Sequence, residues 1–217
     1  MPTATLEEYL ESIYRLSDGG APVRPTMIAE SIGVSGPTVT ATLRRLQAQG
    51  FILREGTSVL LTSVGRERAV DILRRHRVAE SFLVDTLGLD WDIAHEEACL
   101  LEHALSPRVV TALEEFLGNP ASCPHGQPIP AADGSVAVGE SGQRLCDVAI
   151  GAVSAVLRVS ADSEHMLGYL GALGLRPGAL VSVVEVAPFG GPLTIEVQGT
   201  RTAIAREVAA LVTVTLT

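Results

Sequence analysis

Apolar side chains open the sequence at helical spacing. Leu6, Tyr9, Leu10, Ile13 and Leu16 recur at three- and four-residue steps, which predicts a helix over residues 5–17. Thr5, with Glu8 three residues on, reads as a capping box, and Asp18-Gly19-Gly20 ends the segment. Pro25 to Gly33 predicts a second, short helix closed by the glycine. Ser35 is placed to cap a third helix, with Pro37 in its first turn and an end near Gln49. Residues 51–54 and 59–62, separated by Glu55-Gly56-Thr57-Ser58, read as a small β-hairpin.

Helix, short helix, tight turn, helix and hairpin is the order of a winged helix-turn-helix, whose helix after the turn enters the DNA major groove. Ile28, Ala29, Ile32, Val39, Leu43 and Leu46 supply the apolar faces that would hold the helix pair together. Ser35, Pro37, Thr38, Thr40, Ala41, Arg44 and Arg45 are left facing outward. Small hydroxyls, a proline ring and a methyl suit phosphates and thymine methyls. Arg24, just ahead of the second helix, is a further candidate DNA contact. The alternative is a three-helix domain without a nucleic-acid partner.

Residues 63–87 continue the helical period through Val70, Ile72, Leu73, His76, Val78, Ala79, Phe82 and Leu83. Residues 87–92 break it. Asp92 is placed to cap the next helix, Ser106-Pro107 ends that one, and residues 107–117 form another. The apolar faces of this stretch outnumber their local partners, which points to dimerisation, with packing inside one monomer as the alternative. Residues 120–143 have the Pro, Gly, Ser and Ala content of a linker. After Arg144 the pattern becomes short β-branched runs, at 148–159, 179–186, 193–197 and 212–216, around one helix at 163–174. That describes a small β-barrel. The fold class is therefore mainly α with a small β-barrel. The expected divisions are 1–72 for DNA binding, 73–125 for metal binding and dimerisation, 126–143 for a linker and 144–217 for the barrel.

The net charge of −9 argues at first against nucleic acid. Its distribution changes that picture, because residues 1–80 hold ten Arg against nine acids, while the rest holds six Arg against sixteen. Clustered Arg in a near-neutral segment still meets phosphates locally, since fields are screened beyond about 10 Å. No apolar run reaches the roughly 18 residues of a bilayer span, and no basic start precedes an apolar core, so neither membrane insertion nor a signal peptide is expected. Cys99, Cys123 and Cys146 are odd in number and irregularly spaced, which suits a reducing cytoplasm rather than a disulfide framework.

The candidate chemistry sits in residues 95–103. His95, Cys99, Glu102 and His103 stand at i, i+4, i+7 and i+8, which puts four metal-binding side chains on one stripe of a continuous helix. Mixed S, N and O donors suit a borderline divalent ion, Fe, Mn, Co, Ni or Zn, rather than Mg or Ca. Glu8 and Glu11 on the first helix are candidates to complete that site. His76 and Glu80, one helical turn apart, would form a second site with His95. Taken singly, each has an ordinary explanation: a solvated cap, a surface histidine, a small buried thiol. An enzyme is disfavoured. His95-Glu96 lacks a second His at position 99, and no nucleophile triad or phosphate loop appears. A metal-independent winged-helix regulator with a structural zinc site stays open, as does a metal-transport accessory acting through the barrel.

These segments together resemble the diphtheria toxin repressor family of iron- and manganese-dependent transcriptional repressors. The resemblance is carried by Ser35-Gly36-Pro37-Thr38-Val39, Arg75-His76-Arg77-Val78-Ala79-Glu80, His95-Glu96-Glu97-Ala98-Cys99, Glu102-His103 and Pro124-His125-Gly126-Gln127-Pro128-Ile129-Pro130. It implies a homodimer that binds double-stranded operator DNA when loaded with Mn(II) or Fe(II), two ions per chain. It also implies control of metal-uptake genes, no small-molecule substrate, and a C-terminal SH3-like barrel of the FeoA type. By this resemblance Cys99, Glu102 and His103 match a primary site completed from the first helix at Glu8. A carboxylate there favours Mn(II), while Cys99 is typical of iron-type members. His76, Glu80 and His95 match an ancillary site, to which Asp162 and His165 of the barrel are added, with Glu164 as plausible as either. Arg77 matches an anion-contacting position. Ala41 stands where a Gln is frequent.

Overall fold

The computed structural model describes residues 4–17, 21–137, 141–161 and 163–216. The expected stop at Asp18-Gly19-Gly20 lies outside the described residues. The chain divides into two compact units.

The first unit comprises the described residues of Met1–His76, with Glu102–Leu105 and Pro130–Ser135. Helix α1 spans Ala4–Leu16, α2 Pro25–Ile32 and α3 Gly36–Ala48. Because α1 begins at Ala4, Thr5 lies inside it and caps nothing. Leu6, Tyr9, Leu10 and Ile13 bury one stripe of α1 against Ile28 of α2 and Val39, Leu43 and Leu46 of α3. Gly33 closes α2 at φ 71°, a left-handed conformation that costs glycine nothing. Ser35 then caps α3, its hydroxyl accepting from the Thr38 N–H. Strands β1 (Ile52–Glu55) and β2 (Ser58–Leu61) pair antiparallel, and Val23 bridges to Val59 on the other edge of β2. Helix, turn, helix and wing thus appear in the expected order.

Helix α4, Ser63–Ser81, contributes residues to both units and ends in a π-helical turn, Phe82–Thr86. The second unit comprises Arg77–Leu101, Ser106–Ile129 and the described residues of Val136–Thr217. It contains α5 (Trp91–Leu101) and α6 (Pro107–Phe116), the latter capped by Ser106. Asp92 falls inside α5 and not at its cap; the Asp90 carbonyl accepts the Ala94 N–H instead.

A six-stranded antiparallel sheet follows. Its strands are β3 (Gln143–Arg144), β4 (Val153–Val159), β5 (Leu180–Val186), β6 (Leu193–Val197), β7 (Thr200–Ile204) and β8 (Val212–Leu216), in the order β3-β8-β4-β5-β6-β7. Register shifts at Val156/Arg158 and Val183/Glu185 bend it around its core. Helices α7 (Glu164–Ala172) and the short α8 (Arg206–Ala209) accompany the strands. The expected strand at 148–159 starts later, because residues before Val153 turn through Gly151 at φ 85°.

Candidate metal centre

Among the described residues, each unit holds a cluster of metal-binding side chains. In the first, α1 carries Glu7 and Glu11, α4 carries His76, and the turn after α5 carries Glu102 and His103. His76 Nδ1 donates to Glu102 Oε2 at 2.7 Å, and His103 Nδ1 donates to Glu7 Oε2 at 2.8 Å. His103 Nε2 stands 3.4 Å from Glu102 Oε1. Glu11, His76 and Glu102, all buried, each offer a donor atom within 4.8 Å of the others. Arg68 pairs with Glu7, and Arg15 donates to Glu11 at 2.7 Å. Burial pushes the Glu102 carboxyl above the usual carboxylate range; the hydrogen bond from His76 opposes this and the charge of Glu11 adds to it. Carboxylates and imidazoles held this close offer an oxygen and nitrogen donor set that suits Mn(II) or Fe(II).

The structure brings Glu7 to this cluster rather than Glu8, which is exposed. Relative to Leu6, Glu7 and Glu11 lie about 100° and 140° round the helix and flank its buried stripe, whereas Glu8 lies about 200° round, on the far side. The single stripe expected across residues 95–103 is also interrupted. Helix α5 stops at Leu101, so Glu102 and His103 leave its face in the turn that follows. Cys99 remains on the helix, exposed, with its Sγ 4.0 Å from His95 Nε2.

The second cluster joins Glu80 of α4, His95 of α5, and Cys123 and His125. Glu80, Cys123 and His125 are all buried and offer donor atoms within 4.8 Å of one another. His95 Nδ1 donates to Glu80 Oε1 at 2.9 Å, and His125 Nδ1 stands 3.3 Å from Glu80 Oε2. Of the predicted ancillary set, Glu80 and His95 are hydrogen-bonded to each other in this unit; His76 also hydrogen-bonds Glu102 in the first. His125 Nε2 is buried with no hydrogen-bond partner among the described residues. Burial, reinforced by the charge of Glu80, pushes the Cys123 thiol up to about 12. A thiol, a carboxylate and imidazoles, with one imidazole nitrogen unsatisfied, fit a borderline divalent ion.

Cys123 and His125 lie in a stretch whose composition reads as linker, and neither is among the ligand candidates expected from the sequence. Their spacing, Cys-x-His beside a Pro and a Gly, was the available signal. A tight ladder builds the turn: Cys123 N–H donates to Gln127 O at 2.9 Å and Gly126 N–H to Cys123 O at 2.8 Å. Gln127 Nε2 donates to Val159 O at 2.9 Å and to Ser160 Oγ at 3.0 Å, and Val159 N–H to His125 O at 2.9 Å. Gly126 has φ 80°, and a Cβ there would overlap the Leu157 carbonyl of β4. Half-buried Arg77 donates to the Pro128 carbonyl. His165 is 88% exposed on its side chain and faces only its neighbour Glu164, so it joins neither cluster. Asp162 lies outside the described residues.

The candidate DNA contacts belong to the first unit, and all but one are exposed. Arg24, Ser35, Pro37, Thr38, Ala41, Arg44 and Arg45 are exposed; Thr40 is half-buried and returns its hydroxyl to Gly36 O at 3.0 Å.

Comparison with known proteins accounts for all three segments. Residues 1–58 match the iron dependent repressor N-terminal DNA binding domain, and residues 62–131 the iron dependent repressor metal binding and dimerisation domain. Residues 143–216 match the FeoA domain. The chain is 38% identical to the iron-dependent repressor IdeR of Mycobacterium tuberculosis over 211 residues, covering 90% of this chain and 89% of that one. It is 38% identical to the diphtheria toxin repressor of Corynebacterium diphtheriae over 151 residues, 67% of this chain and 66% of that one. A manganese-dependent transcriptional repressor solved in complex with manganese superposes with a TM-score of 0.87 at 33% identity, covering 98% of this chain and 100% of that one.

Proposed function

The chain belongs to the iron-dependent repressor family that includes the diphtheria toxin repressor, and from that premise we propose that it is a cytoplasmic, homodimeric repressor of metal-uptake genes that binds double-stranded operator DNA when loaded with Mn(II) or Fe(II). One observation carries this reading: α1, part of the DNA-reading core, gives Glu7 and Glu11 to the cluster completed by His76, Glu102 and His103. A bound divalent ion would add positive charge beside three neighbouring carboxylates, two of which also pair with Arg68 and Arg15. Glu7 and Glu11 then fix α1, and α1 fixes α2 and α3 through Leu6, Tyr9, Leu10 and Ile13. An ion favours that arrangement only by its differential affinity for it. In a dimer, two recognition helices about 34 Å apart meet successive major grooves.

Two ions per chain are proposed, one at each cluster. Oxygen and nitrogen donors without sulfur favour Mn(II) at the first, and the Cys123 thiol admits Fe(II), Co(II) or Zn(II) at the second. The apolar side chains Leu87, Ile93, Leu100, Val109 and Phe116, exposed on the second unit, are assigned to dimerisation. The divisions at residues 72, 125 and 143 are proposed as the functional limits of the three domains.

A Mn(II) titration of DNA binding tests this, comparing the parent with Glu102→Gln. The variant is expected to need at least about tenfold more Mn(II). Metal-free DNA binding by the variant as tight as that of the loaded parent overturns the proposal. The buried thiol of the second cluster favours one rival, a structural zinc site; such an ion survives mild chelation, and its removal unfolds the domain.

A further inference from the structure

Resting on the reading of Glu80, Cys123 and His125 as an ion site, we propose that Trp91 is its positioning residue, holding the His125 ring in its ligand orientation and tying that orientation to the β-sheet core. Trp91 is the chain's single tryptophan, 3% exposed, and the first residue of α5. It belongs to the apolar cluster built around Leu145, Val156, Leu167 and Leu170, so α5 inserts its leading side chain into the core of the sheet domain. Its ring meets that of His125 edge-on, with centroids 4.5 Å apart and planes at 73°. The Arg176 guanidinium stacks over the indole at 4.6 Å. Two glycines of α7 allow this approach: Gly168 lies against Asp92, and Gly171 against Arg176 and the Trp91 ring.

The need for such a wall follows from the other constraints on His125. Its carbonyl is held by the Val159 N–H, which fixes the backbone and leaves the ring free. Its Nδ1 reaches Glu80 at only 3.3 Å, a long contact for this pair. Two side-chain torsions therefore rest on one long contact and on the rings beside it, His95 at 6.4 Å between centroids and Trp91, nearer, at 4.5 Å. Trp91 fills the place beside the ring. There it blocks the swing that would carry Nδ1 away from Glu80. Side chains that orient a ligand in this way change metal affinity without touching the ion.

The test is a Co(II) titration of the full-length protein in a Cys99→Ala background, read by thiolate-to-cobalt charge-transfer absorption. Loss of that absorption in Cys123→Ala is expected; its persistence overturns the ion-site reading itself. Trp91→Leu, which keeps most of the volume and removes the aromatic wall, is expected to weaken Co(II) binding about 10- to 100-fold and to shift the band. Trp91→Phe is expected to restore both. Arg176→Gln, an exposed change that spares the core, is expected to weaken binding about two- to fivefold by unstacking the indole. A Cys123-dependent band whose position and affinity are the same in the parent, Trp91→Leu and Arg176→Gln overturns the positioning role and leaves the ion site standing.

Discussion

Metal binding at the second cluster has to remove a proton that the fold holds tightly. The Cys123 thiol is pushed from an ordinary 9.0 to about 12, first by burial and then by the Glu80 carboxylate. At roughly 1.4 kcal/mol per unit, thiolate formation there costs roughly 4 kcal/mol more than at an unperturbed thiol. The sign follows directly. Below about 12 the metal-free protein keeps the proton, and a bound ion takes the thiolate, so one proton leaves per ion from this residue. Affinity at this cluster therefore rises about tenfold per pH unit from Cys123 alone, and the rise continues through neutrality because the raised value lies far above it. Calorimetric or competition titrations with Zn(II) over about two pH units measure this slope. Cys123→Ser is the control, and it is expected to release one proton fewer per ion than the parent. Equal proton release in the two proteins refutes the reasoning, since Cys123 would then be no ligand or would already be ionised.

Other expectations follow from the same geometry. Glu7→Gln removes the carboxylate that accepts from His103 and Arg68, and is expected to raise the Mn(II) requirement for DNA binding at least about tenfold; Glu8→Gln, on the exposed side, leaves it unchanged, and a reversed pattern in a fluorescence-anisotropy titration rejects the assignment. Gly126→Ala places a Cβ onto the Leu157 carbonyl at a positive φ, and is expected to cost at least about 2 kcal/mol in denaturant unfolding. It should also weaken the second site while sparing the first.

Local signals in the sequence were enough for the DNA-reading unit. Ser35, Pro37 and Gly33 set helix ends through interactions with their own neighbours, and all three act as the pattern implies. No sequence pattern marks strand β7, because Thr200-Arg201-Thr202-Ala203-Ile204 buries a single residue and is defined by pairing with β6, across a turn at Gln198 and Gly199 with positive φ. The metal-binding side chains were legible as types and only partly as sets. His95 and Glu80, grouped with His76 for a second site, do meet. Glu7 and Glu8 are neighbours in sequence, and it is the packing of Leu6, Tyr9, Leu10 and Ile13 that buries Glu7 beside His103 and leaves Glu8 exposed. Helix α5 stops before Glu102, a boundary no cap residue announces, and so the stripe divides. Cys123 and His125 are candidate ligands only because the turn carrying them is bonded to β4, more than thirty residues away in sequence.

The claim that an ion joins α1 to the turn after α5 meets its most direct test in an anomalous-scattering map, recorded at the manganese edge from a crystal of the Mn(II)-loaded protein. The account predicts a peak in contact with a carboxylate oxygen of Glu7 or Glu11 together with Glu102 and His103. A peak bound by Glu102 and His103 with no atom from α1 contradicts it.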